Sequence, residues 1–481
     1  MSLSPFTKAL AGPNLVDRLR AGLIGEGAPV PGPFGTKGLI YADFVASGRA
    51  LRQVEDFVAG HVLPYYANTH TQASFCGAQM TRLREDARAA IARLCHADPA
   101  DYAVIFAGAG ATAGLNRLVS LFGVAAAADA GQQPVVFVGP YEHHSNLLPW
   151  RESGATVVEI GEAAMGGPDL DALETALLAH AGSGLKIGAF SAASNVTGVI
   201  TDTDAVTQIL KRHGALAVWD YAGGAPYLPI DMNPGPGLEK DAVVASPHKF
   251  PGGPGASGLL ILRRAAVRND KPSWPGGSTV SFVSPWDHVY LDDLTAREEA
   301  GTPNVIGDIR AGLAFLVKAQ IGQDWINQRE AVLNARALKL WRQNPRLELL
   351  GVDRAKRLPI FSFRVRDGEG GLVHHQLFTR MLSDVYGIQA RGGCACAGPY
   401  AHRLLDIDEA HSKALATAIA AGQELEKPGW VRLNFSYLMS DETADKIIAA
   451  VDDLARRAPE LARHYQADSS TARFAPILRS A

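Results

Sequence analysis

Seven short apolar, β-rich runs punctuate the chain between about residues 100 and 265: Tyr102–Phe106, Val135–Val138, Thr156–Ile160, Ile187–Phe190, Leu216–Trp219, Ala242–Ala245 and Leu259–Leu262. Stretches with helical spacing lie between them, such as Ala205–Lys211, which stops at Gly214. Strand–helix alternation of this kind predicts a mostly parallel α/β sheet. A long helical stretch follows over 308–345, with Ile309, Leu313, Leu316, Leu333, Leu338 and Leu340 as its apolar positions. It leads into a smaller α+β domain, in which Ile360–Val365 and Trp430–Phe435 read as strands and Ala444–Ala455 as a closing helix. The expected organisation is a Pro- and Gly-rich arm over 1–40, a large domain over 41–310 and a small C-terminal domain over 311–481.

Composition narrows the function classes. A chain of 481 residues suggests two or three domains, and 47% hydrophobic against 20% charged residues suits a globular enzyme. Lys and Arg (46) nearly balance Asp and Glu (49), with no basic stripe, so no nucleic-acid partner is expected. No apolar run approaches the roughly 18 residues that suggest a membrane span. The opening MSLSPFTKALAGPNL lacks the apolar core of a secretory signal. Four cysteines (Cys76, Cys95, Cys394 and Cys396) are too few for a disulfide framework, so a reducing, cytoplasmic setting is expected, where a thiol can act as a nucleophile.

Three segments carry candidate chemistry. Gly108-Ala109-Gly110-Ala111-Thr112 follows a strand and opens a helix whose Leu115, Leu118, Val119 and Phe122 share one face. Such a turn offers free N–H groups and a positive helix end to a phosphate, with the Thr112 hydroxyl as a further donor; it also reads as a plain glycine turn. Asp220 ends an apolar strand, at the carboxyl end where α/β sheets bind ligands, where it could pair with a protonated pyridine nitrogen; a helix cap is the other reading. Ser246-Pro247-His248-Lys249 follows another strand, with Lys249 lying 29 residues after Asp220, and runs into glycines. A partly buried lysine there has its neutral amine available for an imine.

Together these segments resemble the class V aminotransferase superfamily of fold-type I pyridoxal-phosphate (PLP) enzymes, in the branch of cysteine desulfurases and selenocysteine lyases. Tyr41-Ala-Asp43, Glu142-His143-His-Ser-Asn146 with Pro149-Trp150, Ser194-Asn195-Val-Thr-Gly198 and Glu299-Ala-Gly301-Thr-Pro-Asn304 are similar to further family motifs, in the family's order. The resemblance implies a large, mostly parallel-sheet domain with a smaller α+β domain. It implies that Lys249 holds PLP as a Schiff base, Asp220 faces the pyridine nitrogen, and His143 stacks on the ring and moves protons. Asn195 would touch the cofactor's phenolic oxygen or the substrate. Ala111, Thr112, Ser246 and His248 would hold the phosphate. Gly277-Ser278-Thr279 resembles the loop that a second subunit lends to that site, which implies a homodimer with shared active sites. Gly223 stands where the family usually has a glutamine bonding the ring hydroxyl.

Arg391-Gly-Gly-Cys394-Ala-Cys396-Ala matches the desulfurase pattern, with Cys396 at the nucleophile and Arg391 near the substrate. Gly429-Trp-Val-Arg432 resembles the motif whose arginine clamps the substrate carboxylate. Between Cys396 and Arg432 lie more residues than the family pattern has, and His411–Glu424 reads as an extra helix. Cys394 resembles the Cys-x-Cys of molybdenum-cofactor sulfurases; no metal is expected. The function implied is conversion of L-cysteine to L-alanine, with sulfur passed to Cys396 as a persulfide and on to a sulfur-acceptor protein. The alternatives are another class V reaction on a small amino acid (transamination, epimerisation, β-elimination or selenocysteine cleavage) or a sulfur-relay scaffold without turnover.

Overall fold

The computed structural model describes residues 2–69, 71–353 and 356–477 and divides into two compact units. The first takes the chain up to Gly22, Ser47–Ala193 and Ile200–Trp325; the second takes Leu23–Ala46, Ser194–Val199 and the chain from Ile326. This division departs from the 1–40, 41–310 and 311–481 boundaries expected from the sequence, for a local reason. The arm is split between the units: its first helix, Ser4–Leu10, packs Phe6 edge-on against Phe57, while Ile40 and Tyr41 pair in parallel with Ile388 and Gln389.

In the first unit the seven apolar runs form one sheet. Its strands are β1 (Tyr102–Gly108), β2 (Val135–Val138), β3 (Thr156–Glu159), β4 (Lys186–Ser191), β5 (Leu216–Asp220), β6 (Ala242–Ala245) and β7 (Gly258–Arg263), in spatial order β1-β7-β6-β5-β4-β2-β3. Only β7 runs antiparallel to its neighbours. The runs lack polar alternation because helices cover both faces of such a sheet. Helix α1 (Gly110–Leu121) lays Leu115, Leu118 and Leu121 on Val136, Val244 and Leu260. Gly114 permits this approach, since a Cβ there would come within 2.8 Å of the Val244 side chain. The segment Gly110–Asp129 is long and apolar enough to pass for a membrane span by composition, contrary to the expectation from the sequence. Half of it is buried inside the protein, and Gly123, at φ +65°, interrupts it.

Helix α2 (Val305–Ile321) ends at Gly322, whose φ of +91° breaks the stretch read as one helix over 308–345; α3 (Gln323–Trp341) then starts afresh. In the second unit, β8 (Leu347–Leu349), β9 (Ile360–Arg366), β10 (Arg391–Gly393) and β11 (Trp430–Asn434) form an antiparallel sheet in the order β8-β9-β11-β10. Trp341, Phe361, Phe363, Phe378 and Phe435 fill its core, where Trp341 meets Phe361 edge-on at 5.0 Å. The closing helix spans Asp441–Ala462. The inserted segment contains the expected helix at Glu409–Ala420, none of whose residues is buried.

Candidate active site

The first unit brings together, at the carboxyl ends of its strands, most of the residues expected to hold a cofactor. Gly108 and Gly110, at φ +93° and +59°, bend the chain from β1 into α1. A Cβ on Gly110 would lie 3.2 Å from Ser246 Oγ and 3.3 Å from the His248 ring, so both side chains converge on this helix end. Ala111 N donates to Ser246 Oγ at 3.0 Å, and Thr112 Oγ1 lies 2.7 Å from Ser145 Oγ. Burial, with Lys249 beside it, pushes the His248 imidazole down to about 4, so the ring is neutral near pH 7. Lys249 closes the short turn Pro247–Lys249 and is half-buried.

Asp220 ends β5, opposite Ser191 on β4 and Val244 on β6. Its Oδ1 accepts from Ala222 N at 2.7 Å, and among the described residues it takes no other hydrogen bond. Burial pushes its carboxyl above the usual range, opposed by the Ala222 N–H and the Lys249 charge. Gly223 lies half-buried in the turn that follows.

His143 is placed by the residue before it. Glu142 is buried and accepts from Ser191 N at 2.8 Å, Ser191 Oγ at 2.6 Å and Asn146 Nδ2 at 2.6 Å, while Asn146 Oδ1 accepts from Trp150 Nε1 at 3.2 Å. This network ties the loop to β4. Burial nonetheless pushes the Glu142 carboxyl up to about 7. His143 Nδ1 accepts from Ser145 N at 3.1 Å, which leaves the ring proton of the neutral form on Nε2. Ser145 thus joins His143 to Thr112. Neither Ser145 nor the bracing role of Glu142 was singled out from the sequence, although both lie in the Glu-His-His-Ser-Asn motif that pointed to His143.

Ser278 has φ +71°, and the buried Thr279 donates from Oγ1 to Gly276 O at 2.7 Å. Their loop leads into a hairpin, Val280–Val283 against His288–Tyr290, that exposes Phe282 (58%), Val283 (63%) and Trp286 (91%). Glu299 is an anchor: it pairs with Arg84 and with Arg88 (2.8 Å) and accepts from the β1 backbone at Phe106 N at 2.7 Å. Burial alone would raise its carboxyl, but Arg88 and Arg84 hold it below the usual range.

The second unit gathers another set. Arg432, on β11, is 4% exposed and donates from Nη2 to Asp43 Oδ1 at 2.9 Å and from Nη1 to Asn195 O at 3.2 Å. Its Nε is buried without a partner. Burial lowers its affinity for the proton, a loss that Asp43 offsets, and the Cys396 thiol is near enough to act in the same sense as Asp43. Arg391, directly across the β10–β11 pair, is half-exposed and donates from Nε to the other Asp43 oxygen at 3.0 Å. The Asn195 side chain donates through Nδ2 to Ala395 O at 2.9 Å, and so binds the cysteine loop. In that loop Cys396 is exposed and Cys394 half-buried.

A lysine after one strand and a buried aspartate ending its neighbour, on a sheet of this order, define a fold-type I PLP enzyme. The chain belongs to the aminotransferase class-V family, whose model matches residues 40–442. It is 29% identical over 366 residues to a probable cysteine desulfurase of Halalkalibacterium halodurans, covering 75% of this chain and 84% of that protein. With a probable cysteine desulfurase of Vibrio cholerae it shares 29% identity over 419 residues, 86% of this chain and 93% of the other. The structure of the cysteine desulfurase CsdA from Escherichia coli superposes with a TM-score of 0.69 at 25% identity, covering 92% of this chain and 98% of that one. An apo cysteine desulfurase from Thermococcus onnurineus has the same fold at a TM-score of 0.70 and 23% identity, covering 87% and 95%.

The family implies PLP, and the first unit fits that group. Asp220, buried as a residue, has Oδ1 bonded to Ala222 N and keeps Oδ2 for a cationic ring nitrogen. The start of α1, Ser246 and Thr112 offer N–H and hydroxyl donors for a phosphate. Lys249 supplies the amine within the same strand-end cluster.

Proposed function

We propose that the protein is a cysteine desulfurase, converting L-cysteine to L-alanine and taking the sulfur onto Cys396 as a persulfide. The observation that carries this reading is an exposed thiol, Cys396, on a loop that Asn195 holds through Ala395 O, while the buried guanidinium of Arg432 donates to Asn195 O. A nucleophilic thiol needs access, and Cys396 has it. By contrast, Cys95 is buried, its thiol pushed up to about 12.

PLP, when bound, supplies the electron sink that weakens the substrate C–S bond. In this reading Lys249 binds it through its amine, Asp220 holds a positive charge on its ring nitrogen, and Ala111, Thr112, Ser246 and the neutral His248 hold its phosphate. His143 moves protons at Nε2, with Glu142 and Ser145 fixing its ring. Arg432 binds the substrate carboxylate, with Arg391 as a second cation, and Asn195 holds the loop that carries the nucleophile. The apolar hairpin after Ser278 and Thr279 suits a homodimer interface, the copies sharing that loop. Four free thiols suit a reducing compartment such as the cytoplasm, and an exposed persulfide suits hand-over to an acceptor protein.

The test is the absorbance spectrum of the PLP-loaded protein before and after L-cysteine, with alanine and sulfide assayed. A cysteine-dependent spectral change with alanine formed, and sulfur transfer lost in Cys396→Ala, supports the reading. A spectrum that answers other amino acids but not cysteine moves the activity to another class V reaction.

A further inference from the structure

We propose that Cys394 is a second sulfur carrier, taking the outer sulfur from the Cys396 persulfide, so that Cys394-Ala395-Cys396 works as a two-thiol relay. This rests on the desulfurase reading above.

The two thiols sit on one tight turn. Ala397 N donates to Cys394 O at 3.1 Å, and Ala395 and Cys396 between them both have φ +56°. Two consecutive non-glycine residues in the left-handed region are strained, and such strain persists only where the surroundings impose it. Here Asn195 holds the middle of the turn through Ala395 O at 2.9 Å. The turn thereby sets an exposed thiol and a half-buried thiol two positions apart.

Geometry selects the step. A direct Cys394–Cys396 disulfide needs Cβ atoms about 3.5–4.5 Å apart. Sulfur transfer between the two thiols does not require that closure. A persulfide places its outer sulfur roughly 2.05 Å beyond Cys396 Sγ and can swing about the added bond. The Cys394 thiolate attacks that outer sulfur. A bond forms between Cys394 Sγ and the sulfur, the Cys396 Sγ–S bond breaks, and its electron pair stays on Cys396 as thiolate, which takes up the proton that Cys394 released. Nothing is oxidised or reduced overall, and no co-reactant is needed. Among the described residues no group of three or more metal-binding side chains gathers, so a closed metal site does not claim the pair. The result is a persulfide held half-buried on Cys394 and a Cys396 thiol free for a second turnover.

The experiment counts sulfur. The full-length, PLP-loaded protein is mixed with L-cysteine without thiol reductant or acceptor, alanine is measured by rapid quench, and tandem mass spectrometry locates sulfur on the peptide carrying both cysteines. The expected result is a burst of about two alanines per chain with one extra sulfur on each cysteine, falling to about one in both Cys394→Ser and Cys394→Ala. In Cys396→Ala, Cys394 gains none. A wild-type burst of about one with sulfur confined to Cys396 overturns the relay, as does a two-sulfur burst that survives in Cys394→Ala, which would mean a polysulfide grown on Cys396. If Cys396 gains no sulfur in any protein, the desulfurase reading fails, and the relay with it.

Discussion

Asp43 Oδ1 receives the Arg432 Nη2 hydrogen bond at 2.9 Å, joining two residues 389 positions apart, both buried. Its other oxygen holds Arg391 at 3.0 Å, so one carboxylate orients both guanidiniums assigned to the substrate. Removing that charge leaves Arg432 buried with its Nε already unpartnered and its aim lost. Asp43→Asn should raise KM for L-cysteine by roughly 10–100-fold, about 1.4–2.8 kcal/mol, with a smaller fall in kcat. Asp43→Glu should recover part of the loss. Steady-state kinetics on the three proteins checks this, and an unchanged KM in Asp43→Asn would remove Asp43 from substrate binding.

Ser246 bonds the first turn of α1 and points to the same place as His248. Ser246→Ala should raise the PLP dissociation constant roughly tenfold, the value of about one hydrogen bond to a charged group, and excess PLP should restore activity. Fluorescence titration of the apo-protein with PLP measures it. Equal affinities would place the phosphate elsewhere.

Glu142 makes stability depend on pH in an unusual sense. Its carboxyl stands at about 7 in the folded protein, against an ordinary 4.5. Between those values the folded state holds a proton that the unfolded chain has released. The contribution is therefore complete below about pH 4.5 and lost as pH rises through about 7, on the order of 3 kcal/mol in total. His248, depressed to about 4, acts in the opposite direction, so the variant comparison is what isolates Glu142. The loss of Tm from pH 5 to pH 8 should be larger in the wild type than in Glu142→Gln by calorimetry. Parallel curves would show that Glu142 does not titrate in this window.

Phe282, Val283 and Trp286 project from the hairpin that follows Ser278 and Thr279. If this face joins two copies, Phe282→Asp combined with Trp286→Asp should halve the mass seen in analytical ultracentrifugation and weaken PLP retention. A variant that sediments like the wild type would place the interface elsewhere.

The large sheet was legible because its strands are short apolar runs, buried on both faces in all but the edge strand Thr156–Glu159, and all seven runs became strands to within a residue or two. Lys249 and Asp220 were legible because strand ends announce ligand positions. Less visible were features made by long-range pairing. Nothing local to Asp43 says that it meets Arg432 and Arg391, and nothing in residues 23–46 says that Ile40 and Tyr41 pair with Ile388 and Gln389. Nor does anything local to Asn195, expected to touch the cofactor's phenolic oxygen or the substrate, say that its amide also bonds Ala395 O, 200 positions away. The helix break at Gly322 was in principle readable, but the apolar spacing on either side bridged it.

The helix Glu409–Ala420 buries none of its residues. A segment that removes so little surface from water adds little to the folding free energy, and such surface segments tolerate replacement. It is therefore a handle for protein engineering. A fluorophore, an affinity tag or a tether can be built into this stretch, which starts 13 positions past Cys396, to watch or immobilise the enzyme while the two cores that fold the chain remain as they are.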